Sequence, residues 1–169
     1  MTYREDRNWS NKYIPEISEI IGLNARFLMT INVSSDDKDM GEATDLVLSI
    51  GGGDIAIRLL REKKYNTFTI RSFRSSGTKT ELAKIKSGYA KWYFFGWCKD
   101  EVLDDWLIID LDKLRESGLL DGYTTIMNKD KTTGFIAIPL EDLAFSECIV
   151  ASKTLSSVIR PQVGNAESG

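Results

Sequence analysis

The chain has 169 residues, of which 42% are apolar and 28% charged, and a composition of this kind is typical of one globular domain. It carries a net charge of −3 and contains no histidine, which excludes Ser-His-Asp and Cys-His nucleophile systems and any metal site built on imidazole. Its two cysteines, Cys98 and Cys148, fit neither a disulfide framework nor a four-ligand zinc site. We expect no signal peptide and no membrane span, because residues 1–11 are polar and the longest apolar run, residues 92–97, is too short.

The N-terminal half predicts a helix followed by an antiparallel meander. Isoleucines at 14, 17, 20 and 21 share one helical face, with Ser10 as the cap and Gly22 as the end. Residues 26–33, 43–50 and 54–60 then read as three strands, the last two joined by a glycine turn at 51–53. Residues 67–73 are a fourth strand or an extension of that meander.

The C-terminal half predicts a second helix over residues 79–89, with Lys84 and Lys86 at exposed positions. Strands follow at 91–98 and 105–110, then a short helix at 111–117 and a hairpin of residues 123–127 and 135–138. The residues from 160 to 169 are polar, and we expect a disordered tail there. The pattern indicates one domain over 1–159 of the α/β (α+β) class.

The positive charge of the chain is concentrated in its middle third. Residues 56–91 carry ten lysines and arginines against only Glu62 and Glu81, whereas the segments on both sides are acidic. Aromatic residues are interleaved with these cations, a pattern that suits phosphate contacts along a nucleic-acid backbone. The alternative is that the fold disperses these side chains over a solvated surface.

The order of helix, antiparallel meander, helix and strand, with an aspartate on the second strand and a basic residue on the third, resembles the PD-(D/E)XK nuclease superfamily. The resemblance is carried by residues 9–17 (WSNKYIPEI), 43–48 (ATDLVL), 54–58 (DIAIR), 68–72 (FTIRS) and 77–85 (GTKTELAKI). As a set, these stretches are also similar to small proteins of bacteriophages and mobile elements. The resemblance implies a mixed central sheet with an αβββαβ restriction-endonuclease-like core plus a C-terminal hairpin, in the cytoplasm of a bacterial host.

The resemblance also implies a Mg²⁺ or Mn²⁺ site for phosphodiester cleavage, in which carboxylates hold the metal and a basic residue steadies the phosphate. It places the metal on Glu16 and Asp45, and the catalytic roles on Asp45 and Arg58; Asp54 is a third catalytic candidate because of its position on the third strand. DNA is the expected partner, and the residues expected to bind it are Arg61, Lys64, Arg71, Lys79, Thr80 and Lys84.

The third strand departs from the superfamily pattern of Asp or Glu, any residue, then Lys. The corresponding triplet is Ala56-Ile57-Arg58; alanine cannot bind metal, and arginine is a poor proton carrier. Asp54 shares a strand face with Ala56 and Arg58 and is one substitute ligand. A literal E-X-K at residues 62–64 is another, but it lies where the strand is expected to have ended. The departure favours a degenerate site over an intact hydrolytic one.

A second hypothesis follows from the same departure. An inert protein of this kind could bind and inhibit a host defence protein, with its acidic first and last segments in place of nucleic-acid phosphates. The apolar run at 92–97 would also allow a homodimer if it formed an exposed strand.

Overall fold

The computed structural model describes residues 3–25, 29–33, 46–50, 53–62 and 65–153, and they form a mixed α and β fold. The described helices are α1 (Tyr3–Asn11), α2 (Ile14–Ala25), α3 (Glu81–Lys86), α4 (Leu111–Glu116) and α5 (Leu140–Phe145). The described strands are β1 (Met29–Val33), β2 (Leu46–Ile50), β3 (Gly53–Leu60), β4 (Thr67–Arg74), β5 (Trp92–Lys99), β6 (Val102–Asp110), β7 (Ile126–Met127), β8 (Thr133–Pro139) and β9 (Ile149–Ser152).

Six of the strands form one mixed sheet in the order β1-β2-β3-β5-β6-β9. The β1-β2-β3 meander is antiparallel, as the sequence predicted. β3 and β5 are parallel, because the chain between them makes a crossover that contains β4 and α3. The remaining pairs of this sheet, β5 with β6 and β6 with β9, are antiparallel.

The other three strands form a separate antiparallel sheet in the order β4-β8-β7. The C-terminal hairpin is therefore confirmed as β7 and β8. The interpretation of residues 67–73 as an extension of the meander is wrong, because β4 pairs with β8 and not with β3. One face of this small sheet covers the large sheet.

Strand alternation divides the interior into two cores, one on each side of the large sheet. Ile55 and Ile57 point to the side on which α2 packs through Ile17 and Ile21. The side chains of Ala56 on β3 and of Tyr93 and Phe95 on β5 point to the other side, which is covered by β4, β8 and the helices α3 to α5. Each fully buried large apolar side chain contributes about 1.5–3 kcal/mol of burial free energy, so both cores stabilise the sheet.

Several boundaries differ from those predicted. Ser10 does not cap the N-terminal helix, because it lies inside a separate helix, α1, which the polar composition of residues 3–11 concealed. α2 continues past Gly22 to Ala25, since tertiary packing outweighs the low helix propensity of one glycine. The elements α5 and β9 were not predicted. The predicted tail at 160–169 lies outside the described residues.

The apolar run of residues 92–97 is not an exposed strand. It forms β5, which lies between β3 and β6 in the interior of the large sheet. Tyr93, Phe94, Phe95 and Trp97 are all buried, so this run offers no surface to a second copy of the chain.

Candidate nucleic-acid interface

The Arg58 side chain satisfies the free edge of β4. Among the described strands β4 pairs with β8 alone, so the backbone groups on its other edge need partners from elsewhere. The Arg58 Nη1 donates to the carbonyl of Thr69 at 3.3 Å, and the backbone N–H of Arg71 donates to Glu81 Oε2 at 2.9 Å. The side chains of Arg58 and Glu81 therefore form two of the hydrogen bonds that a further strand would otherwise make to the backbone of β4.

Glu81 is the centre of this arrangement. It is the first residue of α3, is only 8% exposed, and its Oε2 accepts a hydrogen bond from Arg58 Nη1 at 2.6 Å. Its Oε1 accepts a hydrogen bond from the hydroxyl of Tyr93 on β5. Both carboxylate oxygens thus have donors, which is the condition under which a buried charge is tolerated.

The Arg58–Glu81 pair joins four elements. Arg58 lies on β3, Glu81 on α3, Tyr93 on β5, and the backbone groups that they bind lie on β4. The pair consequently holds the small sheet to the large one. Its contacts give Arg58 a structural function at the position where the resemblance places a catalytic residue.

A β-bulge in β4 brings Arg71 and Arg74 to the same face of the small sheet. Arg71 pairs with Phe135 and Arg74 with Thr133, and the register shifts between Arg71 and Phe73. Phe135 and Thr133 are two residues apart on β8 and so point the same way. Without the extra residue of the bulge, Arg74 would point to the opposite face.

This face is directed away from the core, because the alternate positions of β4 and β8 are buried in it. We call it the outer face, and none of its paired residues is buried. They include two guanidinium groups and no carboxylate: Thr67, Thr69, Arg71, Arg74, Ile126, Thr133, Phe135, Ala137 and Pro139.

Positive charge is in excess around Arg71. Burial lowers the pKa of its guanidinium, and the like charges of Arg58 and Arg74 lower it further, while the Glu81 carboxylate opposes them. The Nε of Arg74 is buried and has no hydrogen-bond partner among the described residues. Two like charges and one carboxylate thus act on the Arg71 guanidinium, an imbalance that an anion such as phosphate would relieve.

The loop between β4 and α3 borders this cluster. The Thr78 Oγ1 lies 3.5 Å from Arg74 Nη1 and 2.9 Å from the Ser76 hydroxyl. The ammonium of Lys79 lies 4.8 Å from the centre of the Tyr89 ring, and Lys79 is exposed. Thr80, in contrast, caps α3 by accepting a hydrogen bond from the Ala83 N–H at 3.2 Å. Lys79 is thus accessible near the outer face, and the Thr80 side chain has a structural contact.

Other residues of the basic block lie elsewhere. Arg61 donates to Asp6 at 2.8 Å, and its guanidinium is 4.0 Å from the ring centre of Trp9, which packs on the α2 side of the large sheet. Lys84 is 3% exposed and so is removed from the surface, contrary to its predicted exposed position. Lys86 forms an ion pair with Asp121. Lys64 lies outside the described residues.

The fold separates Glu16 and Asp54, the two described carboxylates of the expected metal site. Asp54 lies near the start of β3 and shares a face with Ala56, whereas Glu16 lies on α2, on the other side of the sheet, with its charge in reach of Cys98. Cys98 follows Trp97, which pairs with Leu60 at the end of β3. Glu16, near Cys98, therefore lies at the opposite end of β3 from Asp54, about 20 Å away along the strand. No cluster of three metal-ligating side chains occurs among the described residues, and Asp45 lies outside them.

Four residues of this arrangement were not selected from the sequence. Tyr93 was only part of a predicted strand, and Glu81 was counted only as one of the two acidic residues in the basic block. They are 12 residues apart in the chain, and no local pattern indicated their contact. Arg74 was counted only as part of the basic block, because the bulge that redirects it depends on pairing with β8. Phe135 lies about 60 residues from Arg71, and no local pattern connects them.

Comparison of the chain with protein-family models and with curated proteins gives no match. None of the helices in the described ranges has the length and apolar character needed to cross a membrane.

Proposed function

We propose that this protein binds nucleic acid through the outer face of the β4-β8-β7 sheet. The observation that carries the proposal is the bulge that places Arg71 and Arg74 together on a face with no carboxylate. Guanidinium groups bind phosphate oxygens with charge-assisted, often bidentate hydrogen bonds. The net charge of −3 does not oppose this function, because the positive charge is local.

The scaffold belongs to the same proposal. The order α2, β1-β2-β3, α3 and β5, with β3 parallel to β5, supports a PD-(D/E)XK-like core into which β4 is inserted. At β3, however, Ala56 is buried and Arg58 is paired with Glu81. We therefore propose that this core serves as a platform for binding, and that the outer face of the small sheet carries the contact.

The test is fluorescence anisotropy with labelled oligonucleotides at low salt, where phosphate contacts are strongest. We expect the double variant Arg71→Gln, Arg74→Gln to bind at least tenfold more weakly than the wild type. The slope of log affinity against log salt should fall by about two, because each of the two arginines neutralises one phosphate.

The matched control is Lys86→Gln, Lys99→Gln, which removes two exposed positive charges from other places. We expect it to bind within threefold of the wild type. Equal weakening by both double variants would mean that only net charge matters and would reject the outer face. If the wild type fails to bind any oligonucleotide at low salt, the proposal fails and the host-protein hypothesis takes its place.

Incubation of the same oligonucleotides with Mg²⁺ or Mn²⁺ distinguishes binding from cleavage. We expect the strands to remain intact. Cleavage that Asp45→Ala abolishes would instead establish a metal site centred on Asp45.

A further inference from the structure

A row of three side chains crosses the outer face from strand to strand. Arg71 on β4 pairs with Phe135 on β8, and Phe135 pairs with Ile126 on β7. Neighbouring strands are about 4.8 Å apart, so a guanidinium, an aromatic ring and an aliphatic group lie side by side. Ile126 is 50% exposed, and Phe135 is partly exposed, so this row is accessible from solvent.

From this row we infer that the outer face takes an unpaired nucleic-acid strand, with phosphates at Arg71 and Arg74 and a base against Phe135 and Ile126. The inference rests on the proposed function and specifies its substrate class. In a duplex the faces of the bases are stacked on one another, and only their edges and the phosphates can be reached. A ring on an open sheet can contact the face of a base only when the strand is unpaired.

The positions of the two arginines relative to the apolar side chains agree with this arrangement. Arg71 and Arg74 follow one another along β4, whereas Phe135 and Ile126 lie to one side of that line, on β8 and β7. The bulge makes the two arginines successive residues on one face, about 7 Å apart along the strand. A backbone that follows β4 would therefore direct its bases across β8 toward β7.

The arrangement of the described cations also favours an unpaired strand. Within the described part of the basic block, Arg58, Arg61 and Lys86 form ion pairs, Lys84 is buried and Lys91 lies at the Trp92 ring of the large sheet, while Lys79 is exposed in the loop that borders Arg74. A duplex presents two phosphate backbones and is bound through a broader set of cations. Arg71 and Arg74, with Lys79 at their border, match the phosphate backbone of one strand.

The experiment compares four labelled ligands of equal length: single-stranded DNA, single-stranded RNA, and a duplex of each. We expect the wild type to bind one single strand at least tenfold more tightly than the corresponding duplex, and the DNA and RNA arms identify the sugar. Phe135→Leu keeps an apolar side chain but removes the ring, and should weaken single-strand binding about tenfold while leaving duplex binding unchanged. Phe145→Leu, which alters a 92% exposed ring on α5, is the control and should have no effect.

The outcomes separate this inference from the proposed function. Equal affinity for single strands and duplexes, still reduced by Arg71→Gln, Arg74→Gln, would overturn the inference and keep the proposed function. An absence of binding to all four ligands would overturn both. If circular dichroism shows that Phe135→Leu unfolds, the exposed-site variant Ile126→Ser replaces it: a selective loss of single-strand binding supports the inference, and an unchanged affinity contradicts it.

Discussion

Arg58 and Arg71 come from the same basic block of the sequence, but the fold gives them different environments. The guanidinium of Arg58 is bound to Glu81 and to the backbone of β4, and it holds two sheets together. The side chain of Arg71 lies on the outer face beside Arg74, with its backbone N–H alone bound to Glu81. A count of charges along a sequence therefore does not measure the charge available at a surface. Arg58 and Arg71 thus differ in whether the guanidinium is bound to a carboxylate.

The largest expected effect is a loss of stability when the ion pair of Arg58 is broken. Glu81→Gln removes the carboxylate charge that pairs with Arg58 and should lower the free energy of unfolding by about 3 kcal/mol. This value is at the low end for a buried pair because the Arg58 side chain is 24% exposed. Urea unfolding measures this loss.

The control for that variant is Glu116→Gln, an exposed carboxylate at the end of α4, which should change stability by less than about 0.5 kcal/mol. Adding Arg58→Met to Glu81→Gln should recover part of the loss, since no unpaired charge remains. A loss below about 1 kcal/mol in Glu81→Gln would show that the pair does not join the sheets.

A smaller effect is expected for Tyr93→Phe. This variant keeps the ring in the core but removes the hydroxyl that donates to Glu81, and it should cost about 1.5 kcal/mol of stability. The measurement is again the urea midpoint at constant slope. If Tyr93→Phe leaves the stability of the wild type unchanged, the hydroxyl does not stabilise the Glu81 charge. If the substitution costs as much stability in the Glu81→Gln background as in the wild type, the two groups are not coupled.

A third comparison uses an exposed ion pair. Asp6→Asn removes the carboxylate charge that pairs with Arg61, whose side chain is 41% exposed, and should cost less than about 1 kcal/mol. This variant should also leave oligonucleotide affinity unchanged, since Arg61 lies on the α2 side of the large sheet. A marked change in affinity would transfer the binding surface from the outer face to that side.

The smallest effect on stability is expected for the two arginines of the outer face, whose substitution should weaken nucleic-acid binding most. Arg71→Gln, Arg74→Gln should unfold within about 0.5 kcal/mol of the wild type, because these side chains have no carboxylate partner on their face. Thermal unfolding of the free protein measures this. A loss of several kcal/mol would make these arginines structural, like Arg58, and would remove the contrast.

Much of the fold was predictable from local patterns, and the site was not. The β1-β2-β3 meander and the β7-β8 hairpin follow from alternation and turn residues, which act over a few positions. The pairing of β4 with β8 joins segments about 60 residues apart, and nothing in either segment specifies the other. The basic block was visible in the sequence, but its division into paired, buried and accessible cations required the tertiary contacts of Glu81 and the bulge after Arg71.

The most direct test of the outer face is an NMR titration of the ¹⁵N-labelled protein with a short single-stranded oligonucleotide. We expect the amide signals of Arg71, Arg74, Thr133 and Phe135 to shift together in a concentration-dependent way, while those of α1 and α2 remain in place. Shifts confined to the region of Trp9 and Arg61, or no shifts at a ligand concentration well above that of the protein, would contradict the account.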